Sequence, residues 1–174
     1  GKLSPESCEV IRITIDDDAT KPSGLARTID AVNPSGGIER VLLFSSIPCT
    51  GGSSWQTVNL AKHGEATKRK IYSARRLAKK LWKNFVTAAR VCLDNGGDVA
   101  IEWPTGCSYW HWDSVKRFIK RNGLVKCRLD GCAYALTSVR PGFEGKPIRK
   151  PWTLATTFDS QIRAGCSDRC SHRP

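Results

Sequence analysis

A long amphipathic helix between two short apolar segments constrains the fold of this chain more than any other feature. The helix is predicted over residues 65–94, where apolar side chains recur every three or four positions and form one stripe. The flanking segments, residues 41–47 and 99–103, have the apolar composition of buried strands. A strand, a helix and a strand in this order predict a parallel βαβ unit. The predicted stripe consists of Ala74, Leu77, Leu81, Phe85, Ala88 and Cys92.

The other predicted elements extend this unit into a larger α/β domain. Further strands are predicted over residues 8–15, 124–129, 132–138 and 152–158, and short helices over residues 25–32 and 115–121. The alternation predicts a Rossmann-like sheet that is mostly parallel, with helices on both faces and antiparallel strands at its C-terminal end. The predicted domain covers residues 1–159, and residues 160–174 form a polar tail that contains cysteine and histidine.

The charge of the chain predicts a polyanionic partner. The net charge is +12 over 174 residues, and nucleic acid is the commonest partner of so basic a protein. Residues 62–90 contain ten lysines and arginines against one glutamate. Such a row of cations suits phosphate contacts, although a solvated helix face has the same composition. The predicted nucleic-acid-binding residues are Lys68, Arg69, Lys70, Arg75, Arg76, Lys79, Lys80, Lys83, Arg149 and Lys150.

Hydropathy and cysteine usage predict an intracellular protein without a membrane partner. No apolar run approaches the roughly 20 residues of a membrane span, and no signal peptide opens the chain. The eight cysteines are irregularly spaced, whereas disulfide frameworks belong mainly to small secreted domains, so mostly reduced thiols are expected. Because methionine is absent, we expect a processed product or a piece of a longer chain.

Two chemically active residues stand where the two apolar strands end. Cys49 lies in a glycine-rich turn after the first strand, and Glu102 lies near the end of the second. Because the carboxyl ends of neighbouring parallel strands share one crevice, a thiol and a carboxylate there suit a nucleophile and its acid/base partner. The structural alternatives are a small residue packed at a strand end and a solvated or ion-paired carboxylate.

These segments resemble motifs of the cytosine-5 DNA methyltransferases, which have the class I methyltransferase fold. That family carries a Pro-Cys pair in a small-residue loop after one strand, and Pro48-Cys49-Thr50-Gly51-Gly52-Ser53 is similar. Its next strand ends in a glutamate, as in Ile101-Glu102-Trp103-Pro104. The resemblance implies that Cys49 adds to C6 of a flipped cytosine and that Glu102 holds the base edge. Asp17 looks like the acidic position that contacts S-adenosylmethionine.

The chain departs from this family at the cofactor loop. The Phe-x-Gly-x-Gly loop that cradles S-adenosylmethionine has no counterpart after any early strand. The alternative is therefore a non-catalytic, nucleic-acid-binding or structural subunit of a ribonucleoprotein or other large assembly. Residues 48–56, 130–136 and 150–156 also look similar to a module of retroelement-type polyproteins from protists, which makes a polyprotein context a further alternative.

Three smaller patterns each have a functional and a structural interpretation. The tail holds Cys166, Cys170 and His172, and zinc needs four such ligands. The fourth could come from the pair Cys127 and Cys132 or from the pair Cys107 and His111. The alternative is a flexible tail with free thiols or a disulfide. Three successive acids at residues 16–18 suit a metal or a ribose hydroxyl, but also a solvated turn. An aromatic cluster is typical of core anchors or of base-stacking platforms. Its members are Trp103, Tyr109, Trp110 and Trp112.

Overall fold

The protein has a mixed α/β fold, which a computed structural model describes for residues 9–33 and 40–158. The helices are α1 (Pro22–Val32), α2 (Trp55–Asp94) and α3 (Asp113–Arg121). The strands are β1 (Leu42–Ser45), β2 (Asp98–Pro104), β3 (Val125–Asp130) and β4 (Pro151–Thr156). Short 3-10 turns lie at Thr50–Gly52, Ser108–His111 and Gly131–Tyr134.

The four strands form one mixed sheet in the order β1-β2-β4-β3. β1 pairs with β2 in parallel, with Leu43 opposite Val99. β4 runs antiparallel to both β2 and β3, so it lies between two strands that share one direction. The predicted combination of parallel strands with an antiparallel strand from the C-terminal end is therefore present in this partly parallel sheet.

The core lies between the sheet and one layer of helices. The Trp82 ring of α2 lies 5.9 Å from the Trp103 ring of β2 and 5.5 Å from the Phe118 ring of α3. α1 packs against α2. The described helices thus lie on one face, and the prediction of helices on both faces is wrong for this part of the chain. On the opposite face, Leu42 and Phe44 are 48% and 54% exposed.

Helix α2 is longer than predicted, and its buried side is rotated from the predicted stripe. The predicted start at residue 65 coincides with a break at Gly64, whose φ of +56° interrupts the helix. The helix ends shortly before Gly96, whose φ of +77° is the left-handed conformation that favours glycine after a helix. Leu77 is 47% exposed, whereas Trp82 is buried because it packs against rings of β2 and α3. The buried residues of α2 are Ala78, Trp82, Phe85, Ala88, Ala89 and Cys92.

Three of the predicted strands are corrected. Residues 9–15 contain no strand: they pair with none of the four described strands, and the Asp17 carboxylate closes a turn at their end by accepting a hydrogen bond from the Thr14 amide (2.7 Å). The strand predicted over residues 41–47 has four residues, and one of its faces is exposed. The strand predicted over residues 132–138 is replaced by a 3-10 turn, because the Leu136 amide bonds back to the Gly131 carbonyl oxygen (3.0 Å).

The described parts contain no helix that is both long and apolar enough to cross a membrane. The predicted polar tail, residues 160–174, lies outside the described residues.

Candidate functional site

The turn that carries Cys49 is held in place from α2 and β2. Cys49 is half-buried, and the Gly52 amide donates to its carbonyl oxygen (2.8 Å) to form the 3-10 turn. Side chains donate to three carbonyl oxygens of this segment: Trp103 Nε1 to Ile47 (2.7 Å), Gln56 Nε2 to Thr50 (2.7 Å) and Arg75 Nε to Gly51 (2.8 Å). Trp103 thus contributes to the turn through its indole N–H, a role that no sequence motif indicated.

The two glycines of this turn allow close packing against Tyr109 and Cys107. A Cβ atom on Gly52 would lie 2.7 Å from the Tyr109 ring and 2.8 Å from the Cys107 sulfur. A Cβ atom on Gly51 would lie 2.8 Å from the Tyr109 hydroxyl oxygen. Real Cβ atoms do not approach neighbours this closely, so any side chain at either position forces a shift. The glycines therefore have a packing role in this structure.

Glu102 lies at the same end of the sheet and has one carboxylate oxygen without a partner. Its Oε2 accepts a hydrogen bond from the Ser46 hydroxyl (2.8 Å), while its Oε1 is buried and makes none. Burial, together with the smaller effect of the nearby charges of Cys49 and Glu102, raises the pKa of the Cys107 thiol to about 11. The structure thus brings both predicted catalytic residues, Cys49 and Glu102, to the surroundings of Cys107.

Tyr109 carries a second buried polar atom without a hydrogen bond, its hydroxyl oxygen. Burial, together with the smaller effect of the Cys107 thiolate charge, raises the pKa of Tyr109 to about 12. The Gly51 amide lies nearby and opposes the shift, but its geometry falls outside that of a hydrogen bond. A buried hydroxyl that loses its water without gaining a partner costs stability.

The substitution Tyr109→Phe is expected to stabilise the protein by about 1 kcal/mol at neutral pH, because it removes this desolvated hydroxyl. The raised pKa values mean that the folded state favours neutral Cys107 and Tyr109. The neutral forms of these two groups contribute to the free energy of unfolding below about pH 9, and this contribution is lost as pH rises through about 11 and 12. The variant should therefore lose less stability than the wild type in alkali. Urea denaturation of the variant and the wild type at neutral and at alkaline pH measures these differences in stability. A less stable variant at neutral pH would show that the hydroxyl has a partner.

Asp17 is already engaged by neighbouring residues. One carboxylate oxygen lies 3.0 Å from Arg27 Nε, and the other accepts from the Thr14 amide. Asp18 bonds Thr20 and Lys21, and the hydrogen bond from Thr20 lowers its pKa. The acids thus close a turn. Because no glycine-rich loop follows a strand near Asp17 in the described ranges, these residues do not fit S-adenosylmethionine.

The predicted nucleic-acid-binding residues of α2 are exposed to solvent. All eight, from Lys68 to Lys83, are exposed, and within the described residues only Lys68 makes an ion pair, with Glu65 (3.1 Å). Arg149 and Lys150 differ, because they are engaged near β3 and β4. Arg149 lies 3.5 Å from the buried Asp130 carboxylate, and Lys150 lies over the Trp152 ring (4.6 Å).

The aromatic cluster lies mainly in the core, and a different aromatic residue is exposed. Trp103, Tyr109 and Trp110 are buried, and Trp103 stacks edge-on against the other two. Tyr72 on α2 is instead 70% exposed. Sequence reasoning did not single out Tyr72, although its position among lysines and arginines was visible. Its exposure follows from the rotation of the buried side of α2.

The predicted zinc ligands Cys166, Cys170 and His172 lie outside the described residues. Among residues 9–33 and 40–158, no group of three metal-ligating side chains comes together. Of the residues considered for the fourth ligand, Cys132 is disulfide-bonded, and Cys107 and Cys127 are buried free thiols.

Comparison with known proteins identifies no relative. No family model, no curated protein and no solved structure matches the chain. The resemblance to cytosine-5 DNA methyltransferases therefore rests on short motifs alone, and function is inferred from the geometry described above.

Proposed function

We propose that this protein binds nucleic acid through one basic face of α2. The observation that carries the proposal is a set of seven exposed cations on α2, of which Arg75 and Lys79 at its edge also contact the Gly51 carbonyl oxygen and the Trp112 ring. They recur at spacings that place them on one side of a helix. This basic face consists of Lys68, Arg69, Arg75, Arg76, Lys79, Lys80 and Lys83.

The basic face is unfavourable for the helix itself, which supports a role in binding. Like charges four residues apart destabilise a helix, and Arg75 with Lys79 and Arg76 with Lys80 are such pairs. Within the described residues, Glu65 is the only acid that pairs with this face, through Lys68. A polyanion would relieve the repulsion between these cations and release its own counterions.

The length and chemistry of the basic face suit a phosphate backbone. Between Lys68 and Lys83 the helix rises about 22 Å, enough to follow several phosphates. Lysine and arginine contacts with phosphates position a nucleic acid but carry no sequence information. The proposed binding is therefore largely independent of base sequence.

Salt dependence tests the proposed function directly. Binding of a fluorescent oligonucleotide is followed by anisotropy, and log K is expected to fall linearly with log salt, with a slope of roughly −3 to −5 for a single strand. This slope corresponds to the release of counterions from phosphates contacted by the basic face. Circular dichroism confirms that the chain stays folded at each salt concentration. A folded chain that binds no oligonucleotide, or binds with a slope near zero, contradicts the proposal.

A methyltransferase-like activity stays a prediction. It is supported by the positions of Cys49 and Glu102 at one end of the parallel strands β1 and β2, and by the buried, unpartnered Oε1 atom of Glu102. The engagement of Asp17 by Arg27 and Thr14 argues against a cofactor contact there. Methyl transfer is therefore not part of the proposed function.

A further inference from the structure

We infer that Tyr72 stacks on an unpaired base and that the preferred ligand is single-stranded nucleic acid. This inference rests on the proposed function, because the basic face of α2 must bind the phosphates that flank the stacked base. Tyr72 is 70% exposed in the middle of that face. Its neighbours one helical turn away in each direction are all exposed cations, namely Lys68, Arg69, Arg75 and Arg76.

The surroundings of Tyr72 leave its ring available to a ligand. In the described parts of the chain, no aromatic ring stacks on Tyr72 and no cation lies over it, although six other cation–ring contacts are present. A shallow groove runs beside the ring and is lined by Glu65, Lys68, Arg69, Tyr72 and Ser73. Tyr72 has no place in the core, so its ring is free for a ligand in a way that the buried Trp82 ring of the same helix is not.

An exposed ring between phosphate-binding cations matches the way proteins hold single strands. Their sites combine a positively charged track for the backbone with aromatic side chains on which bases stack. Every base has an aromatic face, so this stacking tolerates any sequence. In a duplex the bases are stacked on each other and inaccessible to Tyr72, which leaves only the phosphate contacts. Loss of the Tyr72 ring should therefore weaken binding to single strands and leave duplex binding unchanged.

The test compares the wild type with Tyr72→Ala and Tyr72→Phe on single-stranded and duplex DNA of about 12 nucleotides, within the range of known site sizes. Tyr72→Ala is expected to weaken single-strand binding by about 5- to 100-fold, while Tyr72→Phe retains it because the ring remains. Neither substitution should change duplex affinity. Leu77→Ala, which removes another exposed apolar side chain from α2, is the matched control and should change neither affinity.

The outcomes separate this inference from the proposed function. A folded chain that binds neither single strands nor duplex overturns both. A chain that binds both, with a salt-dependent affinity that Tyr72→Ala leaves unchanged for single strands, overturns the stacking role alone. Oligouridylate should bind as well as oligodeoxyuridylate to within about threefold, because stacking and phosphate contacts do not use the 2′-hydroxyl. A larger preference for either sugar contradicts an interface made of these two contact types.

Discussion

Reversing four charges on the basic face of α2 is expected to lower oligonucleotide affinity by about 100-fold or more at moderate salt. The variant combines Arg69→Glu, Arg76→Glu, Lys80→Glu and Lys83→Glu. These residues are exposed, and within residues 9–33 and 40–158 their side chains make no hydrogen bond or ion pair that would be lost. Each substitution removes an attraction to phosphate and adds a repulsion. The slope of log K against log salt should become shallower by about 3, since each single-strand phosphate contact contributes about 0.7.

A matched control separates the basic face from net charge. Arg117→Glu, Lys120→Glu, Arg140→Glu and Lys146→Glu also reverse four exposed cations, on α3 and in the loop before β4. Both variants change the net charge of +12 by the same amount. The control is expected to keep most of the affinity, because long-range attraction is screened beyond about 10 Å in ordinary buffers. Equal losses in the two variants would show that the whole charge, rather than α2, attracts the ligand.

Trp82→Ala is expected to destabilise the protein by about 3–5 kcal/mol. The Trp82 side chain is 4% exposed, and its ring contacts Phe85 (5.3 Å), Trp103 (5.9 Å) and Phe118 (5.5 Å). These contacts join α2, β2 and α3, so truncation leaves a cavity where three elements meet. Because domains have a total stability of about 5–15 kcal/mol, such a loss is expected to leave little margin.

Trp55→Ala provides the comparison for Trp82→Ala on the same helix. Trp55 is 72% exposed, so its loss is expected to change stability by no more than about 0.5 kcal/mol. Urea denaturation of the three proteins measures both changes. If the two substitutions cost the same, Trp82 does not pack between α2, β2 and α3.

Most helices could be predicted from local patterns. α2 and α3 have their own periodicity, and Gly96 follows α2 in the left-handed conformation that favours glycine. The β1-α2-β2 unit followed from its order along the chain. The strand predicted over residues 132–138 was wrong because a local hydrogen bond to Gly131 competes with strand pairing, and residues 9–15 pair with no described strand; alternation of residue types reveals neither.

The candidate site was only partly predictable. The order of the strands indicated that Cys49 and Glu102 would lie at one end of the sheet, and both affect the pKa of Cys107 there. That Trp103 would bond the Ile47 carbonyl oxygen, and that Gly52 would pack against Tyr109, could not be predicted. These contacts join residues about fifty positions apart in the chain, and their geometry depends on the packing of α2 against β2.

The basic face and Tyr72 show most clearly what the sequence decides and what tertiary packing decides. By itself, the sequence determined that α2 is a helix rich in cations, because charge and periodicity are local properties. Which side of α2 faces solvent was decided by tertiary packing, since the ring of Trp82 fits between Trp103 and Phe118. That fit rotates Leu77 out of the core and leaves Tyr72 exposed among the cations. A side chain is buried by its partners, and the partners of α2 lie far from it in the sequence.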